Sequence, residues 1–286
     1  MMKVLIISFL LIPVLAFSQQ RVHITAFGGF ANYSGDLQTK RLTLDQSHGT
    51  FGLGVKYDIT NHFSARAGFN YGRIEGNDKR NEGLLKARNL NFQTSILEGN
   101  LMIEYTLFDL SEKKFSPYAF AGVAVFHFNP YTYDTLGNKI NLQPLGTEGQ
   151  GLAQYPDRKQ YNLTQFALPF GAGLKYRVSE NVVLSYEIGL RKLFTDYLDD
   201  VSRTYVDQSV LGQARGPRAV EMAYRGGELK GGDPVYPVDG TVRGGSKYKD
   251  WYYFTGLGIS IGIRGITSPF SGGRSKYGNT GCPTNL

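Results

Sequence analysis

The sequence is poor in the features that mark most function classes. It has a single cysteine, Cys282, in 286 residues, so no intrachain disulfide framework can form. Charged residues make up only 19% of the chain, and 31 Lys and Arg against 24 Asp and Glu leave a net charge of +7. That charge is spread out, with no basic run or basic helix, and a nucleic-acid partner is not indicated. The four histidines, His23, His48, His62 and His127, are far apart and lack paired metal-ligand spacing, so no metal and no cofactor is expected. Apolar runs long enough for a spanning helix are absent, which excludes a polytopic helical membrane protein.

Glycine and aromatics are abundant: 36 Gly, 19 Tyr and 18 Phe. Aromatics suit strands and glycine is poor in helix interiors, so the composition leans to an all-β fold. The N-terminus reads as a secretory signal over residues 1–18: Lys3, then an apolar stretch, then Ala16-Phe17-Ser18 as a small-residue site. An exported chain with no helical span is either a globule or a β-barrel of the outer membrane.

Period-two alternation decides between them. Phe51, Leu53, Val55, Tyr57 and Ile59 alternate with Gly52, Gly54, Lys56 and Asp58. The same sorting recurs over 63–72, 97–107, 166–177, 182–191 and 251–264, while 22–33 and 118–128 are strand-like with less cleanly sorted faces. Eight such strands, each near the ~9–11 residues that cross a bilayer, are expected. The face opposite the apolar one carries Arg66, Glu98, Glu104, Glu187, Arg191 and Arg264, as in a barrel that is oily outside and polar inside. Aromatics near strand ends (Phe51, Tyr71, Tyr105, Tyr176, Trp251 and Tyr253) fit interfacial girdles among outer-membrane lipids. Connections alternate short and long. The short ones lie near 60–62, 109–116 and 179–181, the long ones at 34–48, 76–92, 129–160 and 195–249. The sequence therefore predicts an eight-stranded antiparallel transmembrane β-barrel over 19–264, with long extracellular loops and a periplasmic C-terminal tail at 265–286. Its lumen would be filled by its own side chains. Arg66 with Glu98 or Glu104 is a plausible interior pair, although register is not readable from sequence.

Few motifs carry chemistry. His127 sits near the outer rim without a nucleophile motif, so an enzyme is not expected. Asp196, Asp199 and Asp200 open the longest loop with spacing unlike an EF-hand, and a solvated or capping role is expected over calcium. Gly226-Gly227, Gly231-Gly232 and Gly244-Gly245 read as flexible loop, and 146–151 is no phosphate loop. The Gly/Ser-rich tail bears Arg264, Arg274 and Lys276 and no acidic residue. It is either a disordered stub or a periplasmic docking segment in which Cys282 bonds to a partner.

Tyr33-Ser-Gly-Asp-Leu37, Phe115-Ser-Pro-Tyr118, Asn129-Pro130, the stretch 142–152, Tyr155-Pro-Asp-Arg-Lys159 and the stretch 194–201 resemble the family of outer-membrane barrels that includes PorG, a component associated with type IX secretion and gliding. The resemblance runs from about residue 21 to 264, although 210–249 is longer than the compact loop it leads one to expect. It implies a structural outer-membrane anchor whose periplasmic side contacts a ring formed by a lipoprotein and its soluble partner, and it carries no catalytic or ligand residues. A small lipid-active enzyme, a minor porin and a surface adhesin are the alternatives.

Overall fold

The structure is a computed structural model that describes residues 21–38, 46–247 and 249–263. The signal segment 1–18 and the tail residues Arg264, Arg274, Lys276 and Cys282 lie outside the described residues. Eight long strands form the wall: β1 Val22–Ser34, β2 His48–Asp58, β3 Phe63–Asn77, β4 Asn91–Thr106, β5 Phe115–His127, β8 Thr164–Arg177, β9 Val182–Leu193 and β10 Trp251–Gly262. A small hairpin that the sequence did not announce, β6 Tyr131–Tyr133 and β7 Lys139–Asn141, attaches to β4 through Gln93↔Tyr131. All pairings are antiparallel. The wall closes because β1 pairs with β10 (His23↔Gly262 through Ser34↔Trp251) and β3 with β4 (Phe63↔Tyr105 through Asn77↔Asn91). Closure leaves no edge strand with unpaired backbone groups, which is the condition for a sheet to sit in lipid.

Alternation sorts the side chains as expected. Phe51, Leu53, Val55 and Tyr57 of β2, Phe69 of β3, Leu101 and Ile103 of β4, Phe166 and Leu174 of β8 and Leu257 of β10 are all exposed on the outer surface. Aromatics ring this belt at both ends: Phe51, Tyr71 and Phe166 toward the long loops, and Tyr57, Phe63, Tyr105, Phe115 and Tyr176 toward the short turns. Trp251 meets Phe170 edge-on at 6.0 Å. Tyr253 departs from the girdle expectation, being 6% exposed. The protein is an outer-membrane β-barrel: its exterior is an apolar band, while Lys56, Arg66, Glu98, Glu104, Lys175, Glu187 and Arg191 lie in the lumen.

Inside, those groups are matched. Arg191 of β9 reaches across the lumen to Glu98 of β4, with Nε 2.9 Å from Oε2 and Nη2 3.2 Å from Oε1. Glu98 also accepts from the Tyr252 hydroxyl (2.8 Å), Asn70 Nδ2 (2.8 Å) and Asn100 Nδ2 (2.9 Å). Nearer the short turns, Arg66 pairs with Glu104 (3.0 Å) and Glu187 (2.9 Å), and Lys175 with Glu104 (2.6 Å). Tyr118 donates to Glu187 at 2.6 Å. The expected Arg66–Glu104 pair is thus present, while Glu98 belongs to Arg191 instead. A cavity of about 40 Å³ remains, lined by Thr25, Gly52, Gly68, Asn100 and Ser185 among others. It has room for a few waters, at roughly 10–15 Å³ each.

Toward the long loops the filling turns apolar. Phe126, Phe128, Tyr161 and Tyr197 stack in sequence at 5.5, 6.1 and 5.0 Å between ring centroids. Tyr33, Phe92, Leu142, Leu198, Val201, Met222 and Tyr252 join the same buried cluster. The long loops therefore fold into a cap seated on the barrel mouth. The cap carries three short helices, α1 Gly83–Arg88, α2 Gln208–Arg215 and α3 Pro217–Ala223. Asp207 caps α2 by accepting from Val210 N (2.9 Å), and Pro217 opens α3 directly after Gly216, whose φ is +84°. Leu211, Ala219 and Ala223 pack with Val206 and Leu152 into a second small core. The glycine pairs read as flexible loop are instead placed: a Cβ on Gly244 would stand 2.6 Å from Asp36 Oδ2 and 2.7 Å from Ser202 N.

Candidate functional site

The segments singled out in the sequence converge inside the cap. Asp196, Asp199 and Asp200 are not solvated: they are 3, 1 and 0% exposed, which corrects the solvated half of the expectation of a solvated or capping role. Each has its own task. Asp200, at φ +67°, turns its carboxylate inward to accept from Thr147 Oγ1 (2.5 Å) and the Tyr161 hydroxyl (2.7 Å). Asp199 accepts from the Tyr33 hydroxyl (2.5 Å) and Val201 N (2.9 Å). Asp196 accepts from Ser202 Oγ (2.8 Å), and its other oxygen has no partner in the structure.

Two arginines tie these segments together. Arg243 donates to Glu148 Oε1 (3.0 Å), the Asp200 carbonyl (2.7 Å) and the Ala223 carbonyl (3.1 Å). Arg88 pairs with Asp78 (2.6 Å) and donates to the carbonyls of Asp36 (2.7 Å) and Arg243. Glu148 accepts in turn from the Ser202 and Arg203 amides at 3.0 Å. It is presented by a turn in which Gly146, Gly149 and Gly151 have φ of +56°, +77° and +76°, a backbone that only glycine adopts without strain. Sequence reasoning did not find Arg88, Arg243, Glu148 or Asp250. None has a local signature: Glu148 and Arg243 meet across different loops, while Arg88 pairs with Asp78 ten residues away and Asp250 with Leu198 at opposite ends of one long loop.

Around Arg88 and Arg243 the cap interior holds more acid than base. Asp36, Asp78, Glu148, Asp196, Asp199, Asp200 and Asp250 are packed around Arg88 and Arg243. Among the described residues no three His, Cys, Asp or Glu side chains are grouped to hold a metal ion. Burial pushes the Asp200 carboxyl up to about 6 against the opposing pull of Arg243, and burial likewise lifts Asp196 to about 6. Asp199 and Asp250 are raised further, by burial and by the neighbouring carboxylates Asp36 and Asp199, respectively.

A carboxyl whose pKa is higher folded than unfolded adds stability below the unfolded value, and that contribution is lost as pH rises through the folded value. The window here is from about 4 to 6 and above. For Asp200, two units correspond to about 3 kcal/mol. Between pH 7.5 and 5 only about one unit of each shift is collected, about tenfold apiece for Asp200 and Asp196, so we expect cap amides in 197–202 to gain about a hundredfold in hydrogen-exchange protection factor, with barrel amides little changed. Equal protection at both pH values would contradict it.

His127 Nδ1 lies 2.9 Å from Thr164 Oγ1 at the outer rim, and no carboxylate among the described residues meets the ring. His23 meets Asp58 (2.6 Å) and His48 meets Glu75 (3.0 Å). At the short-turn mouth a polar vestibule of about 500 Å³ is lined by Arg21, Asp58, Asn61, Asp109, Arg177 and Glu180 among others. Asp109 orders its turn by accepting from Asn61 Nδ2 (2.6 Å) and Ser111 N (2.7 Å).

Among solved structures the chain is similar to Neisserial surface protein A, at 11% identity and a TM-score of 0.41 over 85% of this chain and 97% of that one. It is similar also to Ail, the attachment invasion locus protein of Yersinia pestis, in complex with the heparin analogue sucrose octasulfate (11% identity, TM-score 0.40, 84% and 97% covered). A third is the outer membrane protein OprG of Pseudomonas aeruginosa (13%, 0.38, 86% and 98%). At such identities the likeness is one of fold alone. No curated protein matches the chain. Residues 2–212 match the family described as a domain of unknown function, DUF6089. That stretch takes in the wall from β1 to β9 and the motif segments that meet in the cap, and the chain belongs to the DUF6089 family.

Proposed function

We propose that the protein is a structural, non-enzymatic component of the outer membrane that anchors a periplasmic ring complex of the type IX secretion and gliding machinery. The observation that carries this reading is the blocked bore: the Arg191–Glu98 and Arg66–Glu104–Glu187 networks and the aromatic stack above them fill the lumen around a cavity of about 40 Å³, and the 500 Å³ vestibule lies below them at the short-turn mouth. A barrel filled in this way does its work at its ends rather than through its bore. At the periplasmic end, Gly262 pairs with His23, and Ile263 N donates to the Val22 carbonyl (3.0 Å). The described chain thus ends, at Ile263, at the mouth that the vestibule opens on, which supports reading Arg264, Arg274, Lys276 and Cys282 as periplasmic docking residues. The loop motifs that resemble the secretion-associated family support the same reading.

The test is a pull-down of the tagged full chain from detergent-solubilised outer membrane, with and without the residues after 264. Recovery of a periplasmic lipoprotein complex that is lost on truncation is the expected outcome. The barrel alone from both forms would overturn the anchor. A second reading, a surface adhesin, draws on the cap, where Leu136, Val235, Val238 and Val242 are 83, 68, 79 and 75% exposed. Shaving the loops with protease separates the two: an adhesin loses surface binding while export of secreted proteins stays intact.

A further inference from the structure

One side of the outer rim is basic where lipid begins. Lys192 lies on the outward face of β9, exposed, beside Leu168 of β8 and Trp251 of β10 in the strand register. Both neighbours point to lipid, yet Lys192 has no ion pair or hydrogen bond among the described residues. A lysine on a lipid face costs roughly 2–4 kcal/mol at mid-bilayer and about 0–1 kcal/mol at the interface. Its position at the outer end of β9 places it at the interface, with its long stem able to lift the ammonium toward the headgroups.

Two residues further along the same face, about 7 Å on, exposed Phe194 begins the floor of a cleft of about 760 Å³. Gln165, Phe194 and Thr195, at the strand ends, form that floor, so the cleft opens where membrane meets water. Arg158, Arg203 and Lys249 line it, with Ser202, Thr204 and Ser246 supplying hydroxyls. Arg158 is committed to the Glu148 carbonyl and to Thr204, at 2.8–2.9 Å. Lys249 is exposed and holds only the Ser246 carbonyl (3.1 Å). Two acids offset them: exposed Asp157, at 2.5 Å from Arg203, and Asp196 in the cleft wall.

We propose that Lys192, Arg203 and Lys249 bind the sugar phosphates of an outer-leaflet glycolipid, whose acyl chains lie down the apolar face of β8 and β9 over Phe166, Leu168 and Leu190. The lysine on the lipid face calls for an anion that is itself anchored in the membrane, and the cleft supplies space for a saccharide headgroup directly above it. This inference stands independently of the secretion reading.

The experiment titrates the detergent-solubilised full chain, by calorimetry, with diphosphorylated lipid A, dephosphorylated lipid A and inorganic phosphate. Diphosphorylated lipid A is expected to bind about thirtyfold more tightly to the wild type than to the K192Q/K249Q variant, whose folding is checked by its heat-modifiable gel migration. Equal affinity of wild type and variant would overturn the site. So would equal binding of the dephosphorylated lipid, which assigns the contact to the apolar belt alone. Saturation by millimolar inorganic phosphate that displaces the lipid would replace the glycolipid with a free anion.

Discussion

Replacing Arg191 with methionine is expected to destabilise the barrel by about 3–5 kcal/mol, the usual cost of removing one partner of a buried ion pair. Glu98 is 0% exposed and Arg191 2%, so the carboxylate left behind has no water to turn to. It keeps three neutral donors, Tyr252, Asn70 and Asn100, which solvate a charge but do not neutralise it. Arg191 also stacks its guanidinium over Phe254 at 4.2 Å and donates to the Gly189 carbonyl at 2.6 Å, and methionine replaces only the packing. The paired change R191M/E98Q removes both charges and should recover most of the loss. The chain's one tryptophan, Trp251, stands at the edge of the lipid belt and reports unfolding without a label. Urea unfolding in lipid vesicles, followed by its fluorescence, should show a lower midpoint for R191M and a near-normal one for the double variant. An unchanged midpoint in R191M, or a double variant as weak as the single, would show that the pair does not hold the wall together.

The wall was legible in the sequence because lipid outside and charge inside impose opposite chemistry on alternate residues. β2 displays this cleanly: Phe51, Leu53, Val55 and Tyr57 are exposed, while Lys56 is 5% exposed in the lumen. The two strands with poorly sorted faces, β1 and β5, have a physical reason for it. Their outer halves lie beneath the cap, where inward positions such as Tyr33 and Phe126 are apolar and 0% exposed, so both faces read as oily. The Arg66–Glu104 pair could be anticipated because β3 and β4 are neighbours. The Glu98–Arg191 pair spans strands that do not touch, and no local pattern reports such a crossing.

The cap was not legible for the opposite reason. Its helices have six, eight and seven residues, too short for a helical period to emerge. Its paired glycines suggest flexible loop, yet Gly244 packs against Asp36 and Ser202, and Gly146, Gly149 and Gly151 make the tight turns that aim Glu148. The run of aspartates looked solvated because composition is local, whereas Asp200 is buried by Thr147, Tyr161 and Arg243, residues 39 to 53 positions away. Most of the motif segments that resemble a known family interlock here, while Phe115-Ser-Pro-Tyr118 opens β5 at the opposite, short-turn end. Their side chains hold loops to one another, which accounts for specific motifs in a protein with no recognisable catalytic group.

Arg243→Met should accordingly open the cap and spare the barrel. Arg243 is 3% exposed and is the one cation that touches all three parts of the cap interior: the turn bearing Glu148, the aspartate segment through the Asp200 carbonyl, and the end of α3 through the Ala223 carbonyl. Its loss leaves Glu148 with neutral donors, among them the Ser202 and Arg203 amides, and deprives Asp200 of the charge that draws its carboxyl down. The expected penalty is again about 3–5 kcal/mol, but it falls on the opening of the loops, because the wall's hydrogen-bond ladders and the Arg191–Glu98 pair are untouched. Protease added to intact vesicles should cut R243M within residues 194–250 at rates a hundredfold or more above wild type, by the conversion of about 3 kcal/mol into an opening equilibrium. The Trp251 unfolding midpoint of the barrel should remain near normal. Adding E148Q should restore part of the resistance, since the stranded charge is then gone. Cleavage at the wild-type rate would mean that the apolar stack from Phe126 to Tyr197 alone seats the cap; a barrel midpoint that falls with the cap would mean that wall and cap unfold as one unit.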